Sequence, residues 1–160
     1  MAAGDDESEI TKISTHAIRE LEAKKIPFEL LEHGQEAASE RGVPLQQIVK
    51  TLLVRRPDGR HIIALVRGDR RLSLKKLARL AEVKTLEMAP EEDVPRITGY
   101  QVGAVAPLGL RRKDVPIYVD ENILRQPRVS ISAGRHDTGL ELSSQDLVRA
   151  VNGRVADLSE

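Results

Sequence analysis

The stretch of sequence that decides our interpretation is residues 99–110, Gly99-Tyr100-Gln101-Val102-Gly103-Ala104-Val105-Ala106-Pro107-Leu108-Gly109-Leu110. Three glycines, two alanines and a proline bury little apolar surface, so this glycine loop is poorly suited to forming a core. Its uncovered main-chain N–H groups can instead converge on an anionic or carbonyl oxygen. The composition therefore favours a loop that binds a ligand through its backbone, and a tight connection between two elements is the alternative.

Two segments on either side of the glycine loop carry further signals. Upstream, Lys50 lies at the start of the apolar run Val49–Val54, where a lysine is either a surface residue or a charge directed into a cleft. Downstream, the small residues of Val129–Arg135 and the run Gly139–Leu142 are typical of a strand pair. A lone cation, a bare loop and a strand pair of small residues are the features that any account of function has to explain.

These three segments, in this order, resemble the YbaK/ProX family of free-standing aminoacyl-tRNA deacylases, which are related to the editing domain inserted in bacterial prolyl-tRNA synthetases. The resemblance is carried by the lysine that opens "KTLLV", by the loop "TGYxxGAVxPLGL" and by the ending "SISAGR…LELSSxDLVRAV", and it covers Ile10 to Asp157. It implies a mixed barrel-like sheet flanked by helices. It also implies an enzyme that hydrolyses the ester of a small mischarged amino acid on tRNA.

The resemblance further implies which residues form the site. In the family the corresponding lysine is needed for activity, and the nucleophile is thought to be water or a group of the substrate. Lys50 would anchor the terminal phosphate or ribose, or polarise the carbonyl, facing Gly103 across a hollow sized for a small acyl group. The predicted catalytic residues are Lys50, Gly103 and Ala104. The predicted substrate-binding residues are Gly99, Val105, Pro107, Ser132, Ala133, Gly134 and His136, although His136 is also typical of an exposed hairpin tip.

The sequence departs from the better-known branches of this family in the predicted hairpin 134–140. Where the cysteine-clearing branch has an acidic residue followed by Ile-Glu, this chain has Gly139-Leu140-Glu141. The amino acid removed is therefore left open between cysteine, alanine, serine and threonine. Two functions remain: a trans-editing deacylase acting on aminoacyl-tRNA, and a non-catalytic module of the same fold that holds a nucleotide or a tRNA end beside a synthetase.

Charge along the chain indicates where a nucleic acid would bind. Ten Lys and Arg residues between Lys50 and Arg79 face only two acids, Asp58 and Asp69. Such a run is either a surface for phosphates or a set of solvated helix and hairpin faces. The predicted tRNA-binding residues are Arg70, Arg71, Lys75, Arg111 and Arg112.

Composition limits the other possibilities. A chain of 160 residues suits one domain, and the absence of cysteine excludes a disulfide framework and a thiolate nucleophile. No HExxH or GxSxG motif is present, the four histidines show no metal-site spacing, and Ser130 and Ser132 have no evident activating pair, so we predict no metal and no cofactor. No apolar run could span a bilayer, and residues 1–9 are unlike a secretory signal. We expect a cytoplasmic protein with a disordered leader over 1–9 and one domain over 10–160.

Apolar periodicity, prolines and glycines predict short elements of both types. Ile10, Ile13, Ala17 and Leu21 recur at helical spacing before Pro27. The turn residues 57–60 predict a hairpin of strands 50–56 and 61–67. The other predicted strands are 28–33, 83–88, 115–120, 128–134 and 139–142, and the other predicted helical segments are 37–41, 45–48, 74–81, 90–99, 121–124 and 145–151.

The ends of several helices are also predicted by single residues. Ser73 and Ser143 are predicted N-caps, and Gly99 and Gly153 are predicted to end the helices that precede them. Because strands and helices do not alternate regularly, we predict an α+β or mixed α/β single domain. Its centre would be a mixed, partly closed barrel-like β-sheet flanked by helices.

Overall fold

Strand β3 (His61–Arg67) lies inside the larger of two β-sheets, as its unbroken apolar sequence indicates. In the computed structural model, which describes residues 14–32 and 43–160, every residue from His61 to Val66 is buried. Ile63 and Leu65 belong to one apolar cluster, whereas Ile62, Ala64 and Val66 belong to another. Both faces of this central strand are therefore covered.

The larger sheet mixes antiparallel and parallel pairs. β2 (Val49–Arg55) pairs antiparallel with β3 and with the short β4 (Glu87–Met88). β5 (Ile117–Asp120) pairs parallel with β3 on one side and with β8 (Arg154–Ala156) on the other. The resulting order is β4-β2-β3-β5-β8.

The smaller sheet is antiparallel and contains the strand pair that carries the predicted site residues after the glycine loop. It contains β1 (Glu29–Glu32), β6 (Arg128–Arg135) and β7 (Thr138–Ser143) in the order β1-β7-β6. The register of β6 and β7 shifts between Ser132 and Arg135. A parallel bridge between Ile48 and Ser130 brings the start of β2 beside β6.

Four α-helices pack on these sheets in the described part of the chain: α1 (His16–Ala23), α2 (Leu74–Leu80), α3 (Asp93–Thr98) and α4 (Ser144–Val151). The N-caps predicted at Ser73 and Ser143 are confirmed, because each hydroxyl accepts a hydrogen bond from the N–H three residues on. Gly99 ends α3 with a φ of 81°, as predicted.

Two apolar clusters hold the elements together. The first includes the buried faces of α1 and α4, such as Leu21 and Leu147, with residues from both sheets. The second lies on the α2 side of β3 and joins Leu77 to Tyr118 and Leu158. The smaller sheet and the glycine loop are therefore anchored by the first cluster.

Several predicted boundaries are wrong for local reasons. Helix α1 begins at His16, because Thr15 is extended and its hydroxyl accepts from the Ile18 N–H. The predicted helical segment 45–48 is a 3₁₀ turn over Leu45–Gln47. Of the predicted strand 83–88, only β4 forms. Asn152, with a φ of 52°, ends α4 in place of Gly153. A second 3₁₀ segment, Glu121–Arg125, occupies the predicted helical turn.

The mixed α/β class with a single domain is confirmed. The described strands form two open sheets, so the expectation of a partly closed, barrel-like sheet is not confirmed. The predicted leader over 1–9, the helix over 37–41, and Ile10 and Ile13 lie outside the described residues. Among residues 14–32 and 43–160, no helix combines the length and apolar character needed to cross a membrane.

Candidate functional site

The glycine loop and the turn between β6 and β7 enclose a cavity of about 400 Å³, which we call the loop cavity. Residues far apart in sequence meet here. The cavity is lined by Gly99, Tyr100, Gln101, Ala104, Gly134, Arg135, His136 and Asp137. Four predicted site residues, Gly99, Ala104, Gly134 and His136, are therefore brought together.

The Tyr100 ring packs against the backbone of Gly134 at the loop cavity. Gly134 has a φ of 97°, and a Cβ atom there would lie 2.5 Å from Cε1 of Tyr100. The Tyr100 hydroxyl donates to the carbonyl oxygen of Leu108 at 2.5 Å, which closes the glycine loop on itself. Burial raises the pKa of Tyr100 well above its ordinary value, so the hydroxyl stays protonated and remains a donor.

His136 contacts the loop from the opposite side. Its Nε2 lies 3.0 Å from the carbonyl oxygen of Val102, and since a carbonyl only accepts, Nε2 carries the proton. In the neutral ring Nδ1 is then an acceptor. A Cβ atom on Gly103 would lie 3.5 Å from the His136 ring, so the ring packs directly on the bare backbone.

An ion pair stiffens the turn that presents His136. Arg135 donates to both carboxylate oxygens of Asp137, at 3.0 and 2.9 Å. The Arg135 guanidinium, with a smaller contribution from the Thr138 hydroxyl, lowers the pKa of Asp137. An ion pair with an ionised Asp137 therefore lies in the lining of the loop cavity, next to His136.

The backbone donors of the glycine loop are partly engaged. The Ala104 N–H donates to the Gln101 carbonyl at 3.0 Å, which closes a turn around Gly103 and occupies one of the two predicted donors. Gly103 itself has a φ of 85°. In the described part of the chain its N–H has no hydrogen-bond acceptor. Gly103 thus keeps the free donor, whereas Ala104 supports the turn.

Lys50 lies beside Ser132 but its amine is engaged elsewhere. The Ile48–Ser130 bridge puts Lys50 and Ser132, each two residues further along, on one face of neighbouring strands. The Lys50 Nζ donates to the carbonyl oxygen of Arg70. The expected arrangement, with this amine facing Gly103, is therefore not seen. A carbonyl does not neutralise the ammonium, so its charge is retained.

The remaining predicted substrate-binding residues lie outside the loop cavity. Ala133 is completely buried in the first apolar cluster, against which Val105 also packs. Pro107 is buried and lines a different depression. Ser132 supports the cavity wall indirectly, because its hydroxyl accepts from the Gly134 N–H at 3.1 Å. The loop cavity is therefore lined by Tyr100, Ala104 and the β6–β7 turn, and not by Val105 or Ala133.

Among the described residues, some of the Lys and Arg side chains between Lys50 and Arg79 form ion pairs and others do not. Ion pairs engage Arg55, Arg56, Arg60, Arg67 and Lys76. Arg70, Arg71 and Lys75 have no acidic partner within the described residues, and Arg70 donates to the Ser159 hydroxyl. Arg112 is paired with Asp114 at 3.0 Å, whereas Arg111 packs beside Gly99. Four of the five residues predicted to bind tRNA thus form no ion pair with any residue that the structure describes.

Sequence reasoning missed Tyr100, Gln101, Arg135 and Asp137 as lining residues. The signal available for Tyr100 was its position: it is one of three aromatic residues in the chain, and it lies within a loop of small residues. A large side chain there has no local packing partner, which indicates a long-range contact. The Arg135–Asp137 pair has no comparable signal, because charged hairpin tips are common.

A polar cluster outside the loop cavity makes stability depend on pH. The buried Asp93 carboxylate accepts from His61 at 2.9 Å and from Arg96 at 3.0 Å. These partners, His61 first, lower the pKa of Asp93. A carboxylate with a lower pKa in the folded state stabilises the protein above about pH 4, and this contribution is lost as the pH falls through the folded value.

We therefore expect Asp93→Asn to be less stable than the wild type at pH 7, with the difference shrinking below about pH 4. Urea unfolding of both proteins at pH 7, 5 and 3 measures this, because the other carboxylates titrate equally in the two. A difference in unfolding free energy that does not change with pH would contradict the assignment.

Comparison with protein families gives one match over most of the chain. The family model described as "Aminoacyl-tRNA editing domain" matches residues 31–150. This range contains Lys50, the glycine loop and both strands of the β6–β7 hairpin. The matched region is therefore the one from which the loop cavity is built.

Individual proteins are similar over different lengths. An Enterococcus faecalis protein, whose name proposes a Cys-tRNA(Pro)/Cys-tRNA(Cys) deacylase (EbsC), is 28% identical over 93% of this chain and 95% of its own. The Geobacter sulfurreducens proline–tRNA ligase is 48% identical over 51% of this chain, which corresponds to only 14% of the ligase. A crystal structure of a protein proposed to be a trans-editing enzyme for prolyl-tRNA synthetase superposes with a TM-score of 0.81 at 31% identity, covering 92% of this chain and 99% of that one.

Proposed function

Because this chain belongs to the aminoacyl-tRNA editing domain family, we propose that it is a trans-editing deacylase that hydrolyses the ester of a small amino acid mischarged on tRNA. The observation that carries the proposal is the approach of Gly103, whose N–H has no acceptor among the described residues, to the ring of His136, which lines a cavity of about 400 Å³. A cavity of this size has room for an aminoacyl group.

The reaction needs few protein groups. A water molecule attacks the ester carbonyl carbon, the carbonyl oxygen becomes an oxyanion, and the C–O bond to the ribose breaks as the ribose oxygen takes up a proton. The Gly103 N–H stabilises the oxyanion, as a preorganised backbone donor does in acyl transfer. Because Nε2 of His136 carries the proton that it donates to the Val102 carbonyl, Nδ1 of the neutral ring has none. Nδ1 therefore accepts a hydrogen bond from the attacking water. The products are the free amino acid and the tRNA 3′-hydroxyl.

We expect the Lys50 amine to change its hydrogen-bond acceptor when the substrate binds. Its Nζ leaves the Arg70 carbonyl and donates to the substrate ester from the Ser132 side of the site. Losing one such hydrogen bond costs about 0.5–1.5 kcal/mol, which the bond to the substrate offsets. The retained ammonium charge is what makes the new bond favourable, because it polarises the carbonyl.

The experiment that tests the proposal is a panel of tRNAs charged with cysteine, alanine, serine or threonine. The first tRNA to use is tRNA(Pro), because the relatives above are named for that tRNA or for its synthetase. We expect at least one member to lose its amino acid faster with the protein than in buffer. If no member does, the deacylase proposal is rejected.

We expect Lys50→Ala and His136→Ala each to lower kcat/KM for the best substrate by about tenfold or more, because each removes one hydrogen bond to a reacting group. Lys84→Ala, at an exposed lysine far from the loop cavity in sequence, is the control and should retain full activity. Release of labelled amino acid from tRNA measures all four proteins. Unchanged rates in both site variants would show that the chemistry does not occur here.

A non-catalytic module that holds a tRNA end is the alternative function. Arg70, Arg71 and Lys75, which form no ion pair within residues 14–32 and 43–160, favour binding in either case. The two functions are separated by measuring turnover and binding together: the module would bind uncharged tRNA with an affinity that falls steeply with salt while hydrolysing no ester.

A further inference from the structure

A second cavity, of about 530 Å³, adjoins the loop cavity. Gly99 lines both cavities, and a Cβ atom there would lie 3.4 Å from Cβ of Arg111. The second cavity is lined on its other sides by Arg19 from α1 and by Arg111 and Lys113 from the segment that follows the glycine loop. We call this space the cationic cavity.

The positive charge of the cationic cavity exceeds the negative charge that the described residues place there. Within the described residues, Arg19, Arg111 and Lys113 form no ion pair. The one carboxylate among the lining residues is Glu20, and both of its oxygens are already engaged. Lys24 donates to Oε2 at 2.7 Å and the Gly109 N–H donates to Oε1 at 2.8 Å. Three cations therefore face a space that a single, fully bonded carboxylate does not neutralise.

Backbone hydrogen bonds fasten the segment that carries two of these cations, Arg111 and Lys113. The Arg111 N–H donates to the Thr98 carbonyl at 3.0 Å and the Arg112 N–H to the Ile97 carbonyl at 3.1 Å, so this segment is fastened to the end of α3. Arg112 is paired with Asp114 and does not line the cationic cavity, whereas its neighbours Arg111 and Lys113 both do. The basic run 111–113 is therefore divided between two surfaces.

The third cation is oriented by its own helix. Nη2 of Arg19 lies 3.0 Å from Nδ1 of His16, and since a guanidinium only donates, the His16 nitrogen is the acceptor. This bond uses one of the five guanidinium N–H groups and adds no negative charge. Arg19 can therefore still donate to a ligand.

We propose that the cationic cavity binds the 5′-phosphate of the terminal nucleotide of the substrate. This proposal rests on the proposed function, since it places the acyl ester in the loop cavity. In an aminoacylated nucleotide the 3′-ester and the 5′-phosphate lie on opposite sides of one ribose. Two adjoining cavities that share Gly99 match that arrangement, because the first lies at the glycine loop and the second carries guanidinium and ammonium groups without acidic partners among the described residues.

The test uses an alanyl-adenosine analogue in which a 3′-amide replaces the ester, prepared with and without a 5′-phosphate. Because the amide is not hydrolysed, binding is measured by calorimetry independently of catalysis. We expect the wild type to bind the phosphorylated analogue about tenfold more tightly, as charge-assisted hydrogen bonds predict. Arg19→Gln, Arg111→Gln and Lys113→Gln should each reduce this ratio, and inorganic phosphate should compete only with the phosphorylated analogue.

Arg125→Gln is the matched control, because Arg125 is exposed and lines neither cavity, and it should keep the tenfold ratio. Equal affinities for the two analogues in the wild type, a full ratio in all three cavity variants, or no binding of either analogue would overturn the proposal. If the ratio is present but charged tRNA is not hydrolysed, the phosphate site stands and the deacylase function fails. If charged tRNA is hydrolysed but the two analogues bind with equal affinity, the deacylase function stands and the phosphate site is rejected.

Discussion

Gly109→Ala is expected to lower the free energy of unfolding by about 3 kcal/mol or more, because the new methyl group would collide with the backbone of α1. A Cβ atom on Gly109 would lie 2.4 Å from the carbonyl carbon of His16 and 2.6 Å from its oxygen. Gly109 also has a φ of 64°, which costs a non-glycine residue roughly 1 kcal/mol. The glycine loop and α1 would have to separate, and the bond from the Gly109 N–H to Glu20 would weaken.

Gly59→Ala is the control that isolates the collision from the dihedral strain. Gly59 has a φ of 87° in the turn between β2 and β3, but no atom lies within 4 Å of the position of its Cβ. We expect this variant to lose about 1 kcal/mol. Urea unfolding of both variants measures the difference. Equal losses would mean that the loop and the helix do not approach each other as closely as described.

Asp120→Ala is expected to cost about 3–5 kcal/mol, because it removes the acceptor for three buried donors. The carboxylate of Asp120 is 0% exposed. It accepts from the Leu158 N–H at 2.9 Å, from the Ser159 hydroxyl at 2.8 Å and from the Asn122 amide at 3.1 Å. Alanine would leave these groups without the acceptor that they have in the interior, where water cannot replace it.

Asp157→Ala is the comparison, because Asp157 lies in the same segment as Leu158 and Ser159. It forms an ion pair that is exposed to solvent. Its carboxylate meets Lys76 at 3.0 Å with 53% of its side chain exposed, so we expect a loss below about 1 kcal/mol. Thermal and urea unfolding of both variants give the comparison. If Asp120→Ala is no less stable than Asp157→Ala, the buried carboxylate does not organise this region.

The two aspartates also affect the surface predicted to bind tRNA. Ser159 accepts from Arg70, and the Glu160 N–H donates to the Arg71 carbonyl, so residues 158–160 support the Arg70–Arg71 segment. Lys50 donates to the Arg70 carbonyl from the other side. Asp120 therefore connects, through hydrogen bonds, the buried sheet to both the lysine and the unpaired arginines of the site.

Features set by neighbouring residues could be predicted from the sequence. The caps at Ser73 and Ser143, the helix end at Gly99 and the turn before β3 depend on interactions within a few residues. The loop and strand pair that line the loop cavity were also identified, since small residues are unusual in a core-forming segment. The prediction that Gly134 and His136 belong with the glycine loop came from the family resemblance, and the structure brings them together.

Features set by distant residues could not be predicted. The acceptor of the Lys50 amine lies twenty residues away on a different element, and nothing in either local sequence marks the pair. Similarly, the basic run 111–113 reads as one cluster, and only the docking of α1 shows that Arg19 joins two of its members. The burial of Ala133 depends on packing between the sheets, which strand alternation alone does not reveal.

The parallel pairing of β8 with β5 has a consequence for synthesis on the ribosome. Leu158, completely buried, completes the apolar cluster on the α2 side of β3, and its carbonyl accepts from the Ser73 N–H. During translation the β2–β3 hairpin and α2 leave the ribosome first. The cluster lacks Leu158 until residues 154–159 also emerge. The second apolar cluster therefore stays incomplete during translation, and the unfinished polypeptide exposes Leu77 and Tyr118 to chaperones and to aggregation.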